Sequence, residues 1–375
     1  VTDQPAIAVM LYSLRAEGTP RLTLDLCRHW RAQNVPVVVL VLVAEPDDLR
    51  EDFEQAGIET EMFDLPSRGV MRFVSLIAKT RRTCKRRRVS ALVCMTFGWH
   101  LFAALGARLA GVKRVLAHVG NRPMPEFSLR WFAFWMMVEG ARPFVTALVC
   151  CSDYVRKAIA RPFFLAPLEA VTIPNGIALE RWRPSAPRDL SKSAIHVAMV
   201  ATLESHKDHA TLIRAVPELQ ARAGRLGKSV TLSLAGDGSL RGELEALVRE
   251  MGLTNSVQFP GTQRNVAAFL DGVDIFAFST TESEGQGIAL VEAMAMGLPI
   301  CATDVGACRE LLFDGPCGEL VLSRNPSALA QGIAGLLARP DVAQRFAQAA
   351  QARVRERYDI RGTAGAYLAL CRSAA

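Results

Sequence analysis

Between positions 65 and 125 this chain of 375 residues has no Asp or Glu, while 13 Lys or Arg stand there. A cationic ligand finds no counter-charge along that stretch, so the partner it suits is anionic. No helix-turn-helix, zinc module or RNA-binding signature accompanies the charge, and nucleic acid is not expected as that partner. The longest apolar run, residues 35–44, is about half of what a spanning helix needs. Nine cysteines is an odd number without paired spacing, and no secretory leader precedes the first strand-like run. Both features predict reduced thiols and a cytoplasmic location, not a secreted disulfide framework. No D-x-D triplet occurs, so no metal is signalled and no cofactor is expected.

What the chain does have is an ordinary globular mix, 50% apolar and 22% charged, and length enough for two cores. The charge is unevenly placed. Residues 1–183 hold 25 basic and 17 acidic side chains, against 19 and 20 in the remainder. The peak starts at Lys79 and ends at Arg88, reading KTRRTCKRRR. Its plain reading is a solvated helix face. Its functional reading is a patch for an anionic membrane surface, each cation adding about 1 kcal/mol. The latter makes the protein peripheral at the cytoplasmic face of the membrane.

Strand-like β-branched runs alternate with amphipathic stretches. In the first half, 6–13, 35–43, 89–95, 114–119 and 145–151 read as buried strands. Helical patterns cover 21–33, 47–56, 70–84, 100–109 and 154–161. A Pro-Asn-Gly turn ends at Gly176, and the polar stretch 181–193 reads as a linker. The alternation resumes with strands at 194–201, 229–235, 256–260, 273–279 and 298–303. Helices are expected over 207–222, 239–252, 287–296, 326–338 and 341–374. Mostly apolar strands separated by helices predict an α/β protein with two doubly wound parallel sheets. Ligands of such sheets bind beyond the carboxyl ends of the strands, and two facing sheets leave a cleft.

The densest signal is ESEGQGIALVEAMAMGLP, residues 282–299. It follows a buried strand and opens a helix, with Gly285 and Gly287 at the corner. Small residues let a ligand approach the backbone, and the amides of Gln286 to Ile288 face outward at a helix N-terminus. A diphosphate fits there, with about 0.3–1 kcal/mol from the helix dipole. Glu284 at the corner and Glu292 two turns along are acceptors for sugar hydroxyls. The plain alternative makes Glu284 a helix cap and Glu292 a partly buried helix residue.

That stretch, with LAGDGSLRGELEALVREMGLTNSVQFPGTQRNVAAFLDGVDIFAFST before it, resembles the donor-binding domain of retaining GT-B glycosyltransferases. IPNGIALERWRP and HVAMVATLESHKDHATLIRA are similar to the junction and first donor-domain strand of glycosyltransferase family 4, or glycosyl transferases group 1. The resemblance covers about residues 171–325 and thins before 165. It implies a GT-B fold, two Rossmann-like doubly wound parallel-sheet domains facing a central cleft. Residues 1–183 would bind the acceptor and 184–359 the nucleotide-sugar donor, with a helix over 360–375 packing back onto the first domain.

Carried over position by position, the resemblance implies that Lys207 contacts the donor diphosphate. Glu284 would hold the transferred sugar and Glu292 the ribose. Gly285, Gln286, Gly287 and Ile288 would meet the phosphates, and Gly261 with Thr262 the base. His118 matches the family's histidine near the sugar, and Gly18 its glycine-rich loop near the phosphates. Catalysis would rest on Glu284, Lys207 and His118. Three positions depart from the pattern: Thr202 stands where an Arg is common, Gly18 where two glycines are, and Gln286 where an aromatic is. Loss of the Arg weakens a phosphate contact by about 1.5–3 kcal/mol unless Arg264 or Arg15 replaces it.

Other motifs carry less. Gly236 and Gly238 begin an imitation of a dinucleotide fingerprint with the wrong last spacing; a turn near the donor phosphate suits them better. His206 and His209 lack a third zinc ligand at matching spacing. Cys150-Cys151 reads as core, and residues 131–137 (WFAFWMM) as a packed helix face, with lipid contact the alternative. The resulting expectation is a metal-independent retaining hexosyltransferase. It would move sugar from a UDP-sugar to a hydroxyl of a saccharide or lipid-linked acceptor in cell-surface glycan or glycoconjugate biosynthesis. A nucleotide-sugar epimerase, a phosphorylase of the same architecture and a binding-only homologue are the rivals.

Overall fold

The computed structural model describes residues 5–66, 68–123, 128–159, 169–312 and 316–373. They form two compact units, one of 1–176 with 360–375 and one of 177–359.

Among the described residues the first unit contains seven strands: β1 (Ile7–Leu11), β2 (Val37–Val41), β3 (Glu59–Met62), β4 (Ala91–Cys94), β5 (Arg114–Val119), β6 (Ala147–Cys150) and β7 (Glu169–Thr172). They pair in parallel in the order β3-β2-β1-β4-β5-β6-β7. Every residue of β1, β2, β4 and β6 is buried, because helices cover both faces of such a sheet. The helices between the strands are α1 (Gly18–Ala32), α2 (Arg50–Gln55), α3 (Met71–Arg86), α4 (His100–Leu109), α5 (Leu129–Ala141) and α6 (Asp153–Ile159). The end of the helix expected over 154–161 lies outside the described residues.

Among the described residues the second unit has six strands: β8 (Ala194–Val200), β9 (Ser229–Ala235), β10 (Val257–Gly261), β11 (Ile275–Phe278), β12 (Ile300–Thr303) and β13 (Glu319–Val321). Their order is β10-β9-β8-β11-β12-β13, again all parallel. The helices are α7 (His209–Gly224), α8 (Arg241–Glu250), α9 (Val266–Asp271), α10 (Ile288–Ala295), α11 (Gly306–Leu312), α12 (Pro326–Ala338) and α13 (Pro340–Arg357); α14 (Ile360–Arg372) follows and belongs to the first unit. Strand order reverses at β8/β11 here and at β1/β4 in the first unit. Those are the places where a doubly wound sheet opens a crevice at its carboxyl edge.

Two boundaries differ from the sequence reading. Residues 177–183 belong to the second unit, because Ile177, Leu179 and Trp182 pack into its core. The helix expected over 341–374 is two helices, α13 and α14. Between them the Tyr358 carbonyl accepts from Ile177 N–H at 2.8 Å, and Asp359 bridges to Ile177. Beyond that break α14 joins the first unit. Trp30 Nε1 donates to the Ala364 carbonyl at 2.9 Å and Thr363 Oγ1 to the Pro174 carbonyl at 2.9 Å.

The basic run lies on α3 and the turn after it. It is partly neutralised from the adjoining edge strand, where Glu61 pairs with Arg86 at 2.5 Å and Glu59 pairs with Arg87. Arg81, Arg82 and Lys85 remain exposed. Helix α5 is only half packed, since Leu129, Phe132 and Met136 face solvent. All nine cysteines are buried as free thiols, as expected for Cys150 and Cys151. No helix among the described residues is long and apolar enough to cross a membrane.

Candidate active site

In the second unit the two residues singled out from different motifs meet at the strand-order reversal. Lys207 ends the 3₁₀ turn Ser205–Lys207 that follows β8, and Glu284 lies in the loop after β11. Because β8 and β11 are neighbours, their following loops are brought together. Lys207 Nζ donates to Glu284 Oε2 at 2.5 Å. The carboxylate is almost fully buried, whereas the lysine is slightly open to solvent. Burial pushes the Glu284 carboxyl upward, but the Lys207 charge and hydrogen bond, the neighbouring His206 and the Gly285 N–H outweigh it. The net effect holds Glu284 below the ordinary carboxylate range, hence ionised.

The two loops are held by a strap that the sequence reading missed. The His206 carbonyl accepts from Thr280 Oγ1 at 2.9 Å, Thr281 N–H at 3.1 Å and Thr281 Oγ1 at 3.1 Å. Thr280 Oγ1 also lies 3.3 Å from Glu284 Oε2. Its backbone is fixed in turn, with Thr280 N–H donating to Thr303 Oγ1 at 3.0 Å. Thr280 and Thr281 end the apolar run of β11, so paired hydroxyls at a buried strand end were the available signal.

Gly287 then turns the chain into α10 with φ of +81°, the left-handed region open mainly to glycine. A Cβ there would also lie 3.0 Å from the Phe278 ring. Ile288 is the first helical residue, so the amides at 288 and 289 have no acceptor within the helix. Glu292 lies one turn further along α10 and is buried, as is Gln286 before it.

Gly236 and Gly238 serve close packing. A Cβ at Gly236 would fall 1.9 Å from the Ala201 carbonyl oxygen, and one at Gly238 2.6 Å from that of Leu203. The loop carrying Thr202 therefore rests directly on the loop after β9, tied by Leu203 N–H to the Asp237 carbonyl at 3.0 Å. Gly236 N–H reaches the Gly261 carbonyl at 2.9 Å, which brings the end of β10 alongside, with Thr262 exposed beyond it. The structure thus gathers Thr202, Lys207, Gly236, Gly238, Thr262 and the 284–292 segment at one sheet edge.

Next to Lys207 stands Asp208 at φ +41°, an uncommon backbone for a residue with a side chain. His209 follows, buried, with neither ring nitrogen hydrogen-bonded to the described residues. Burial and the Lys207 charge drive it down to about 3, so it is neutral. Among the described residues no group of three metal-ligating side chains forms, at His206 and His209 or elsewhere.

The other expected site residues lie in the first unit. Gly18 is the first residue of α1, and Thr19 lines a cavity of about 540 Å³ with Phe97, His118, Gly120 and Trp131. His118, near the end of β5, is buried, and burial lowers it to about 4. Its Nδ1 meets Tyr367 OH of α14 at 2.8 Å. Thr19, next to Gly18, and His118 thus line one cavity at the carboxyl edge of the sheet.

Comparison with known proteins follows the same division. The family model for glycosyl transferases group 1 matches residues 181–353, and that for glycosyltransferase family 4 matches residues 16–181. The chain is 26% identical to EpsF of Bacillus subtilis (strain 168), over 81% of its own length and 80% of that protein's. It is 31% identical to phosphatidyl-myo-inositol mannosyltransferase of Mycobacterium tuberculosis (strain ATCC 25618 / H37Rv), over 51% of this chain and 50% of the relative. The fold is similar to that of Alr3699/HepE from Anabaena, solved in complex with UDP and glucose. That match has a TM-score of 0.84 at 22% identity, covering 99% of this chain and 100% of the other.

Proposed function

The chain is a GT-B glycosyltransferase of the family 4 type, and from that premise we propose that it moves a sugar from a UDP-sugar to a hydroxyl of a saccharide or lipid-linked acceptor with retention of configuration. The observation that carries the reading is the buried Lys207–Glu284 pair at the corner that opens α10. It sets a cation beside helix amides, where a diphosphate is stabilised, and a carboxylate beside both, where sugar hydroxyls find an acceptor. The solved complex of HepE with UDP and glucose supports the donor class.

In this reading Lys207 and the amides of Gln286 to Ile288 stabilise charge that grows on the departing phosphate. Such fixed donors require little reorganisation during reaction, which makes this the largest catalytic term. The reading assigns that work to these groups and not to a metal. Glu284 holds the transferred sugar, Glu292 the ribose, and Gly261 with Thr262 faces the base. The leaving oxygen takes the acceptor's proton as the new bond forms on the same face of the sugar. Thr202 supplies no charge, so Lys207 carries more of the phosphate contact than a Lys–Arg pair would ask of it.

A cell-surface glycan or glycoconjugate is the proposed product class, and the exposed apolar residues of α5 together with the cations of α3 favour a lipid-linked acceptor. Both helices pack on α4, which places the two features on one face of the sheet. Thermal stabilisation by a panel of nucleotide sugars tests the donor. A ligand at 100 times its Kd adds about 2.7 kcal/mol. Stabilisation confined to UDP and a UDP-sugar supports the proposal, and none by any nucleotide sugar contradicts it. Donor conversion without an acceptor would favour an epimerase.

A further inference from the structure

We propose that Tyr367 is a positioning residue: its phenolic O–H donates to His118 Nδ1, fixes the imidazole as the Nε2–H tautomer and presents that N–H to the cavity of the first unit. The two groups meet at 2.8 Å although 249 positions separate them, so α14 returns to the first unit with a specific partner for β5.

The direction of the hydrogen bond follows from elimination. The Tyr367 hydroxyl has no other hydrogen-bond partner among the described residues. Were Nδ1 the donor, the phenolic hydrogen would sit fully buried without an acceptor, an arrangement folded proteins avoid. With the phenol as donor, its hydrogen and the Nδ1 lone pair satisfy each other. The remaining ring hydrogen then belongs to Nε2. Burial keeps both partners neutral, with His118 lowered to about 4 and the phenol raised well above its usual value.

Nε2 is open toward the cavity because position 120 has no side chain. His118 and Gly120 both line the cavity, and a Cβ on Gly120 would lie 3.1 Å from Nε2. Cys151 Sγ holds the Gly120 carbonyl at 3.2 Å and so fixes that backbone. The cavity therefore offers an uncharged N–H donor, suited to a sugar hydroxyl oxygen.

Long-range ¹H–¹⁵N correlation on the full-length protein labelled at histidine reads the tautomer directly. The parent is expected to show Nε2 protonated and Nδ1 bare at neutral pH, and Tyr367→Phe to show both tautomers. In the transfer assay Tyr367→Phe is expected to lower kcat about five- to tenfold, the worth of one uncharged hydrogen bond, with KM for the nucleotide sugar unchanged. Gly120→Ala, which covers Nε2, should reproduce the kinetic loss while keeping the parent tautomer. A parent protonated at Nδ1, or an unchanged tautomer in Tyr367→Phe, would overturn the proposal. The tautomer arm is independent of the donor assignment, on which only the kinetic arm rests. A confirmed tautomer with unchanged kinetics in both variants would refute the positioning role alone.

Discussion

Lys207 and Glu284 are 77 positions apart in sequence and 2.5 Å apart in the fold, joined by a hydrogen bond in which nearly all of the carboxylate is out of water. Neither charge is stable there alone. Removing one partner of a buried pair leaves the other unpaired, which destabilises by about 3–5 kcal/mol, whereas removing both is far milder. Lys207→Met is therefore expected to lower the denaturation midpoint sharply. Lys207→Met combined with Glu284→Leu should recover most of it, and urea titration of the parent, the two single variants and the double variant measures the coupling.

The same pair predicts an acid-side dependence. Glu284 is held below its unfolded value, about 4.3 for a free glutamate, so its contribution is full above that value. It is lost as pH falls through the lower folded value. The buried histidines have the same sign. His100 and His118 titrate near 4 and His209 near 3 in the fold, so the unfolded chain takes up protons first. Stability should fall as pH drops from about 6.5, by up to about 1.4 kcal/mol per pH unit for each. Denaturant midpoints between pH 8 and pH 4 record the slope. Midpoints flat below pH 6 would contradict the burial argument.

His209 offers a sharper form of that test. Two buried ring nitrogens without hydrogen-bond partners among the described residues cost about 1–3 kcal/mol. His209→Leu should therefore leave the protein at least as stable as the parent at pH 8, and more stable than it at pH 5. Thermal scans at the two pH values check this.

At the corner before α10, Gly287→Ala combines a left-handed backbone with a 3.0 Å approach to Phe278. It should destabilise by about 1–3 kcal/mol and weaken UDP binding in calorimetry. Thr280→Val removes the hydroxyl shared by His206 and Glu284 while keeping the shape. It is expected to raise KM for the nucleotide sugar and lower stability by about 1 kcal/mol.

Pelleting with anionic liposomes tests the face that bears Leu129, Phe132, Met136, Arg81, Arg82 and Lys85. Salt-sensitive binding that weakens in Phe132→Ser is the expected result. Equal recovery with neutral and anionic vesicles would remove the membrane reading.

The sequence made legible what repeats a physical pattern. Strand β9 and helix α12 have the extents expected, since each is an unbroken apolar-periodic run between polar stretches. Strands β3 and β13 escaped notice because ETEM and ELV are short and only half buried, with no apolar face to see. The break between α13 and α14 carries neither Gly nor Pro; it is imposed by the pairing of residues 358–359 with Ile177. Lys207 and Glu284 were visible through local motifs. Their contact was not, because it depends on β8 and β11 being neighbours. Tyr367 lay in a helix whose pattern says nothing of its partner, and the His206 strap consists of bonds to a main-chain carbonyl.

The most direct measurement is a crystal structure of the protein with UDP bound. The diphosphate is expected within hydrogen-bonding distance of Lys207 Nζ and the 286–288 amides, with Glu292 on the ribose. A nucleotide seated elsewhere, with Lys207 still closed on Glu284, would contradict it.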